Sequence, residues 1–93
     1  MHPQRSLIEA ALSLVGDTEP IRDDVKVKLL HHLSDTHDIP RDVTLKRFRN
    51  SDFDSPHHIT DSFLNSFNIQ HSAEHKADTV KNVALLHDHY MDS

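Results

Sequence analysis

The sequence contains no cysteine and only one glycine, and these two absences exclude several kinds of chemistry. Without cysteine there is no disulfide, no Fe–S cluster, no thiol nucleophile and no cysteine-ligated zinc. A phosphate-binding loop needs several glycines, and the strained turn of a nucleophilic serine needs glycine on both sides. Gly16 alone supplies neither. We therefore expect a protein that is not an enzyme and that needs no cofactor.

Long apolar runs are also missing. The longest runs from Val83 to Leu86, whereas about 20 apolar residues are needed to span a bilayer. The apolar stretch over residues 7–15 is interrupted by Glu9, and no small-residue cleavage site follows it, so no signal peptide is expected. These features predict a protein with no membrane segment and a location in the cytoplasm.

Helical spacing dominates the apolar pattern. Few turn residues and little alternation of β-branched with polar residues argue against a sheet. Five stripes recur at helical spacing. They are Ile8, Ala11, Leu12 and Val15; Ile21, Val25, Leu29 and Leu33; Val43, Leu45 and Phe48; Ile59, Phe63 and Phe67; and Ala73, Ala77, Val80, Ala84 and Met91, widened by Val83, Leu86 and Tyr90. The sequence predicts an all-α fold: a compact bundle of about five short helices in a single domain over residues 1–93.

Two serines mark predicted helix starts. Ser55 precedes Pro56, and serine caps a first turn while proline fits its first position. Ser72 is predicted to cap the last helix in the same way. Residues 51–55, which join two predicted helices, are expected to form a turn. The helix that begins after Pro20 is predicted to end near Thr36.

The net charge of −5 belongs to the second half of the chain. Acidic and basic residues balance over residues 1–50, whereas acids dominate residues 51–93. Within the first half, the segment 41–49 is locally basic. Its four cations are Arg41, Lys46, Arg47 and Arg49. Such charge polarity suits docking on a partner or on a second copy.

The function that this pattern favours is a small intracellular interaction module. We expect it to bind a protein partner and to self-associate as a homodimer or small oligomer, through the basic segment 41–49 and the last helix. The alternative is a DNA-binding transcriptional regulator, in which the same four cations contact phosphates and the preceding helix completes a helix-turn-helix. Against this alternative, the acidic second half would repel a polyanion.

Ten histidines suggest a third hypothesis, a histidine-based metal-binding protein. The candidate ligands are His71, His75, His87 and His89. The span from His71 to His75 reads H-x-x-E-H, the pattern of inverted zincin proteases. A cap at Ser72 would leave His71 outside the helix, so hydrolytic zinc chemistry is not expected.

The histidines also make the net charge depend steeply on pH. Full protonation of ten imidazoles would move the net charge from −5 towards the opposite sign, because unperturbed histidine titrates near pH 6.5. We expect solubility to be lowest near pH 6. Light scattering recorded from about pH 5 to 8 checks this, and a flat trace would contradict it.

Overall fold

The computed structural model describes residues 20–92, and this part of the chain forms four α-helices and no strand. The helices are α1 (Asp23–Thr36), α2 (Arg41–Arg47), α3 (Pro56–Ser66) and α4 (Ala73–Met91). The all-α prediction is confirmed. The helix predicted over Ile8 to Val15 lies outside the described residues, and those described contain four helices rather than about five.

Helix α1 is central to the packing and contacts each of the other three helices. Its predicted stripe is confirmed, since Val25, Leu29 and Leu33 are fully buried. Residue Leu30 is buried beside them. Just before the helix, the Ile21 backbone N–H donates to the Phe53 carbonyl at 2.8 Å. That bond ties the start of α1 to the segment before α3.

Both predicted serine caps are present. The Ser55 hydroxyl accepts a hydrogen bond from the His58 N–H at 3.1 Å, and Pro56 occupies the first turn of α3. The Ser72 hydroxyl likewise accepts from the His75 N–H at 3.0 Å. Each bond satisfies a backbone N–H that has no partner within its own helix. These local bonds fix where α3 and α4 begin.

Helices α1 and α3 end in the same way. Asp38 (φ 57°) and Asn68 (φ 53°) adopt the left-handed conformation just past each helix. The next N–H then reaches back over the last turn, from Ile39 to the Ser34 carbonyl (2.9 Å) and from Ile69 to the Leu64 carbonyl (3.0 Å). This is the Schellman arrangement, which usually uses glycine. Aspartate and asparagine are the residues that tolerate it best after glycine.

The buried face of α4 agrees with the predicted stripe at Val83, Leu86, Tyr90 and Met91 but not at its first two positions, Ala73 and Ala77. The structure buries Thr79 and Val83 and packs Leu86, Tyr90 and Met91 partly against the core, whereas Ala73 and Ala77 are exposed. The reason is the Thr79 hydroxyl, which donates to the His75 carbonyl of its own helix at 2.8 Å. Because this hydroxyl is satisfied locally, threonine can occupy a core position that an apolar pattern leaves out.

One apolar cluster forms the core. It comprises Ile21, Val25, Leu29, Leu30, Leu33, Phe48, Phe53, Ile59, Phe63, Leu64 and Val83. Phe53 comes from the irregular segment 51–55, where a turn is predicted, and its ring packs edge-on against Phe48 with centroids 5.7 Å apart. Among the four helices of residues 20–92, none is long and apolar enough to cross a membrane.

Candidate functional site

A groove of about 520 Å³ lies between α1 and α2, and we call it the α1–α2 groove. Its lining residues are Asp23, Lys26, Val27, Leu30, Asp42, Leu45, Lys46, Phe48 and Arg49. The four apolar members form the floor, the four exposed charged members form the rim, and the fifth charged member, Lys26, is buried. An apolar floor with a charged rim is the general make-up of a recognition surface.

Side-chain bonds hold α2 against α1. The Ser34 hydroxyl donates to the Thr44 hydroxyl at 2.6 Å, and both side chains are fully buried. At the start of α2, Arg41 forms a bidentate salt bridge with Asp35, in which Nε donates to Oδ1 at 3.0 Å and Nη2 donates to Oδ2 at 2.6 Å. These contacts fix the position of α2, although it has only seven residues.

Lys26 links α1 to the segment that follows α2. Its side chain is buried, and its ammonium donates to the Ser51 carbonyl at 2.8 Å and to the Arg49 carbonyl at 3.3 Å. A carboxylate oxygen of Asp23 lies 3.8 Å away. The chain that leaves α2 is therefore bound to the first turn of α1. Within residues 20–92, every buried side-chain nitrogen and oxygen has a hydrogen-bond partner.

Two of the four predicted basic residues are used inside the molecule. Arg41 pairs with Asp35, and this hydrogen-bonded pair holds the pKa of the Asp35 carboxyl below its usual value and raises the pKa of Arg41. Arg47 donates to the Ser66 carbonyl at 2.8 Å and to the Ser66 hydroxyl at 2.9 Å. Its guanidinium carbon also lies 4.6 Å from the centre of the Phe67 ring. Neither arginine lines the groove.

The other two predicted cations lie on the rim of the groove. Lys46 and Arg49 are exposed there, and the carboxylates of Asp23 and Asp42 line the same groove. The structure thus divides the predicted basic set into one pair that stabilises the fold and one pair that faces solvent beside an apolar floor.

The four predicted metal ligands are not brought together. His71 precedes α4 and His75 lies in its first turn, so the two do not share a helical face. The side chain of His87 lies beside Asp88, at 3.7 Å, and the His89 ring packs against Tyr90. His87 begins about 18 Å along the helix from His75 at 1.5 Å per residue. Residues 20–92 contain no group of three or more His, Cys, Asp or Glu side chains that could hold a metal ion.

His75 instead meets a histidine that the sequence patterns do not single out. Its Nε2 lies 3.5 Å from the Nε2 of His37, the residue that ends α1. The two are 38 positions apart in the chain. No local spacing rule connects them, and only the packing of α1 against α4 brings them together.

The groove floor is also only partly predictable. Leu45 and Phe48 belong to a predicted stripe, but Val27 and Leu30 lie beside the stripe of α1 rather than on it. The burial of Lys26 has one sequence signal, because position 26 shares a helical face with Leu30 and Leu33. Its carbonyl partners, however, depend on tertiary structure.

Comparisons with protein-family models, with curated protein sequences and with solved structures found no match for this chain.

Proposed function

We propose that this chain is a small regulatory interaction module that binds an acidic amphipathic helix in the α1–α2 groove. The observation that carries the proposal is the groove itself, in which an apolar floor lies beside the exposed cations Lys46 and Arg49. A helix in such a groove can place an apolar side chain on the floor. Its carboxylates then meet the rim cations.

The occupant to which the surface chemistry points is α4 of a second copy of the chain. The exposed face of α4 carries Leu85, whose side chain is 60% exposed. The carboxylates on the exposed positions of this helix and its C-cap are Glu74, Asp78, Asp88 and Asp92. One exposed cation, Lys81, lies on the same face, so α4 combines an apolar anchor with a net acidic surface. In a twofold dimer, each copy would place α4 on the groove of the other.

The charge distribution supports this pairing. Within the described chain, residues 20–50 hold seven cations and five carboxylates, and residues 51–92 hold two cations and seven carboxylates. Complementary charges steer two surfaces together and fix their register. The rim carboxylates Asp23 and Asp42 add selectivity, because they repel an acidic residue placed on the wrong side of the groove.

The same observations favour a protein over a nucleic acid. Arg41 and Arg47, half of the basic set, are engaged with Asp35 and Ser66. Carboxylates stand on the groove rim beside the remaining two cations, and phosphates gain nothing from an apolar floor. A DNA-binding regulator stays the alternative, with Lys46 and Arg49 as its phosphate contacts.

The test is sedimentation equilibrium of the full chain with two charge-reversed variants. The groove variant carries Lys46→Glu and Arg49→Glu, and the helix variant carries Asp78→Lys and Asp88→Lys. Each alone should weaken self-association at least about tenfold, and an equimolar mixture should restore it, because the reversed charges again complement each other. The control is Asp52→Lys with Asp54→Lys, which makes the same charge change outside α4 and should leave the dimer nearly intact.

The outcomes separate the hypotheses. A wild-type chain that stays monomeric overturns the dimer, and so does a dimer that neither variant weakens. Random duplex DNA that binds the wild type at low salt, but not the groove variant, would support the DNA-binding alternative instead.

A further inference from the structure

His37 and His75 face each other across the packed helices α1 and α4. His37 follows the last turn of α1, and His75 lies in the first turn of α4. Their Nε2 atoms are 3.5 Å apart, whereas the ring centroids are 5.7 Å apart. The two Nε2 atoms therefore lie on the facing edges of the rings.

The His37 ring is fixed with a lone pair towards His75. Its Nδ1 lies 2.9 Å from the Leu33 carbonyl oxygen. A carbonyl only accepts, so this Nδ1 carries the proton, and in the neutral ring Nε2 presents a lone pair. Phe63 packs against the same ring, with centroids 5.4 Å apart, and restricts its rotation.

The backbone of His75 is equally well defined. Its N–H donates to the Ser72 hydroxyl at 3.0 Å, and its carbonyl accepts from the Thr79 hydroxyl at 2.8 Å. The residue itself is exposed. Because water is available to its ring, the proton of the neutral imidazole can reside on Nδ1, which leaves Nε2 as a second lone pair.

We propose that His37 and His75 together bind a divalent d-block metal ion, with zinc as the best-fitting candidate. With zinc–nitrogen bonds of about 2.0–2.1 Å, nitrogens 3.5 Å apart subtend about 115° at the metal, close to the tetrahedral angle. The bond from the His37 Nδ1 to a carbonyl is the outer contact that metal-ligating histidines usually make. The ion would bridge α1 and α4.

The ligand set defines the class of ion. Imidazole nitrogens suit zinc, copper and nickel, whereas calcium and magnesium require oxygen ligands. No third His, Cys, Asp or Glu within residues 20–92 completes the pair. The remaining positions of the ion are therefore open to water, which makes this an exchangeable two-histidine site. It differs from the sequence-predicted set, of which it retains only His75.

Calorimetric titration of the full chain with zinc chloride tests the proposal. At about pH 7.5 imidazole is neutral and free to coordinate. We expect one zinc ion per chain at the strongest site, and we expect His75→Ala to weaken that site at least about tenfold. The matched control is His71→Ala, an exposed histidine four positions earlier that is not part of the pair, and its zinc affinity should stay within about twofold of wild type.

Thermal unfolding supplies a second measurement. Zinc that binds only the folded pair should raise the melting temperature of the wild type and of His71→Ala, but not that of His75→Ala. His37→Gln should behave like His75→Ala, and because His75 is exposed, its variant decides the question even if His37→Gln is poorly folded. The proposal is overturned if zinc does not bind the wild type, if His75→Ala binds it unchanged, or if His71→Ala loses as much affinity.

Discussion

The two halves of the described chain reverse direction by the same device but present different surfaces. Both α1 and α3 end in a left-handed residue followed by isoleucine, with the same backbone bond across the last turn. After that turn, the short α2 leaves part of α1 uncovered, whereas the 19-residue α4 packs on both α3 and α1. The residues next to a helix end thus determine how the helix ends. How much of a helix stays exposed depends instead on the length and packing of the helix that follows it.

The largest expected effect comes from the residue that joins the halves. Phe53 is almost fully buried and packs against Phe48 of the first half and the His58 ring of the second. Phe53→Ala should lower the free energy of unfolding by about 3–5 kcal/mol, because the cavity cannot fully collapse. Urea denaturation measures this. Val43→Ala, at a side chain that is 42% exposed, is the control and should change stability by less than about 0.5 kcal/mol.

A loss for Phe53→Ala as small as that expected for Val43→Ala would show that the halves do not share a core through Phe53.

The next largest effect is the loss of stability when a buried hydroxyl is removed, and it should differ between the two halves. Ser34→Ala leaves the buried Thr44 hydroxyl without its partner and should cost about 1–3 kcal/mol. In the second half, Thr79 bonds its own helix, so Thr79→Val orphans no other side chain and should cost less. Urea denaturation of both variants checks the order. The double variant Ser34→Ala with Thr44→Val should recover part of the loss, and a greater loss in Thr79→Val would contradict the comparison.

The shared chain reversal predicts equal behaviour in the two halves. Alanine at Asp38 or Asn68 should cost about 1 kcal/mol, because a Cβ is unfavourable in the left-handed conformation. Glycine at either position should be neutral or slightly stabilising, since it adopts this conformation without strain. Thermal or urea denaturation of the four single variants measures the match. A cost at one position only would mean that the two turns are not equivalent.

The smallest effect is the response to acid, and one ion pair from each half is compared. Arg41 lowers the pKa of Asp35, and Lys76, helped by His57 and His71, lowers the pKa of Asp61, both from 3.8. A lowered pKa in the folded state gives stability that is present above the unfolded value and is lost as the pH falls through the folded value. Asp35→Asn and Asp61→Asn should each flatten the decline in urea midpoint below about pH 4.

An undiminished decline in both asparagine variants would assign acid sensitivity to other carboxyls. Because these side chains are substantially exposed, solvent screens both pairs, and the change should be modest.

Local patterns predicted what depends on neighbours in sequence. The caps at Ser55 and Ser72, the end of α1 at Thr36 and the buried stripe of α1 each follow from residues within a turn of one another. Three features escaped prediction because their partners are distant. Phe53 enters the core from a predicted turn, Arg47 binds the end of α3, and His37 meets His75.

One part of the buried face of α4 escaped prediction for a different reason. An apolar count places Ala73 and Ala77 inside and Thr79 outside, since it takes threonine as polar. In the structure the Thr79 hydroxyl donates its hydrogen bond to a carbonyl of the same helix, so the buried side chain leaves no donor without a partner.

The buried ammonium of Lys26 offers a way to measure how often the segment after α2 moves away from α1. Amine acylation requires the reagent to reach the nitrogen. The Lys26 side chain is only 9% exposed, and its nitrogen donates hydrogen bonds to two backbone carbonyls. Lys46, on the same groove, is open to reagent. The ratio of their labelling rates therefore measures how often the chain after α2 detaches from α1. A ligand that fills the groove would slow the acylation of both lysines. A ligand that separates the segment after α2 from α1 would accelerate the acylation of Lys26 alone.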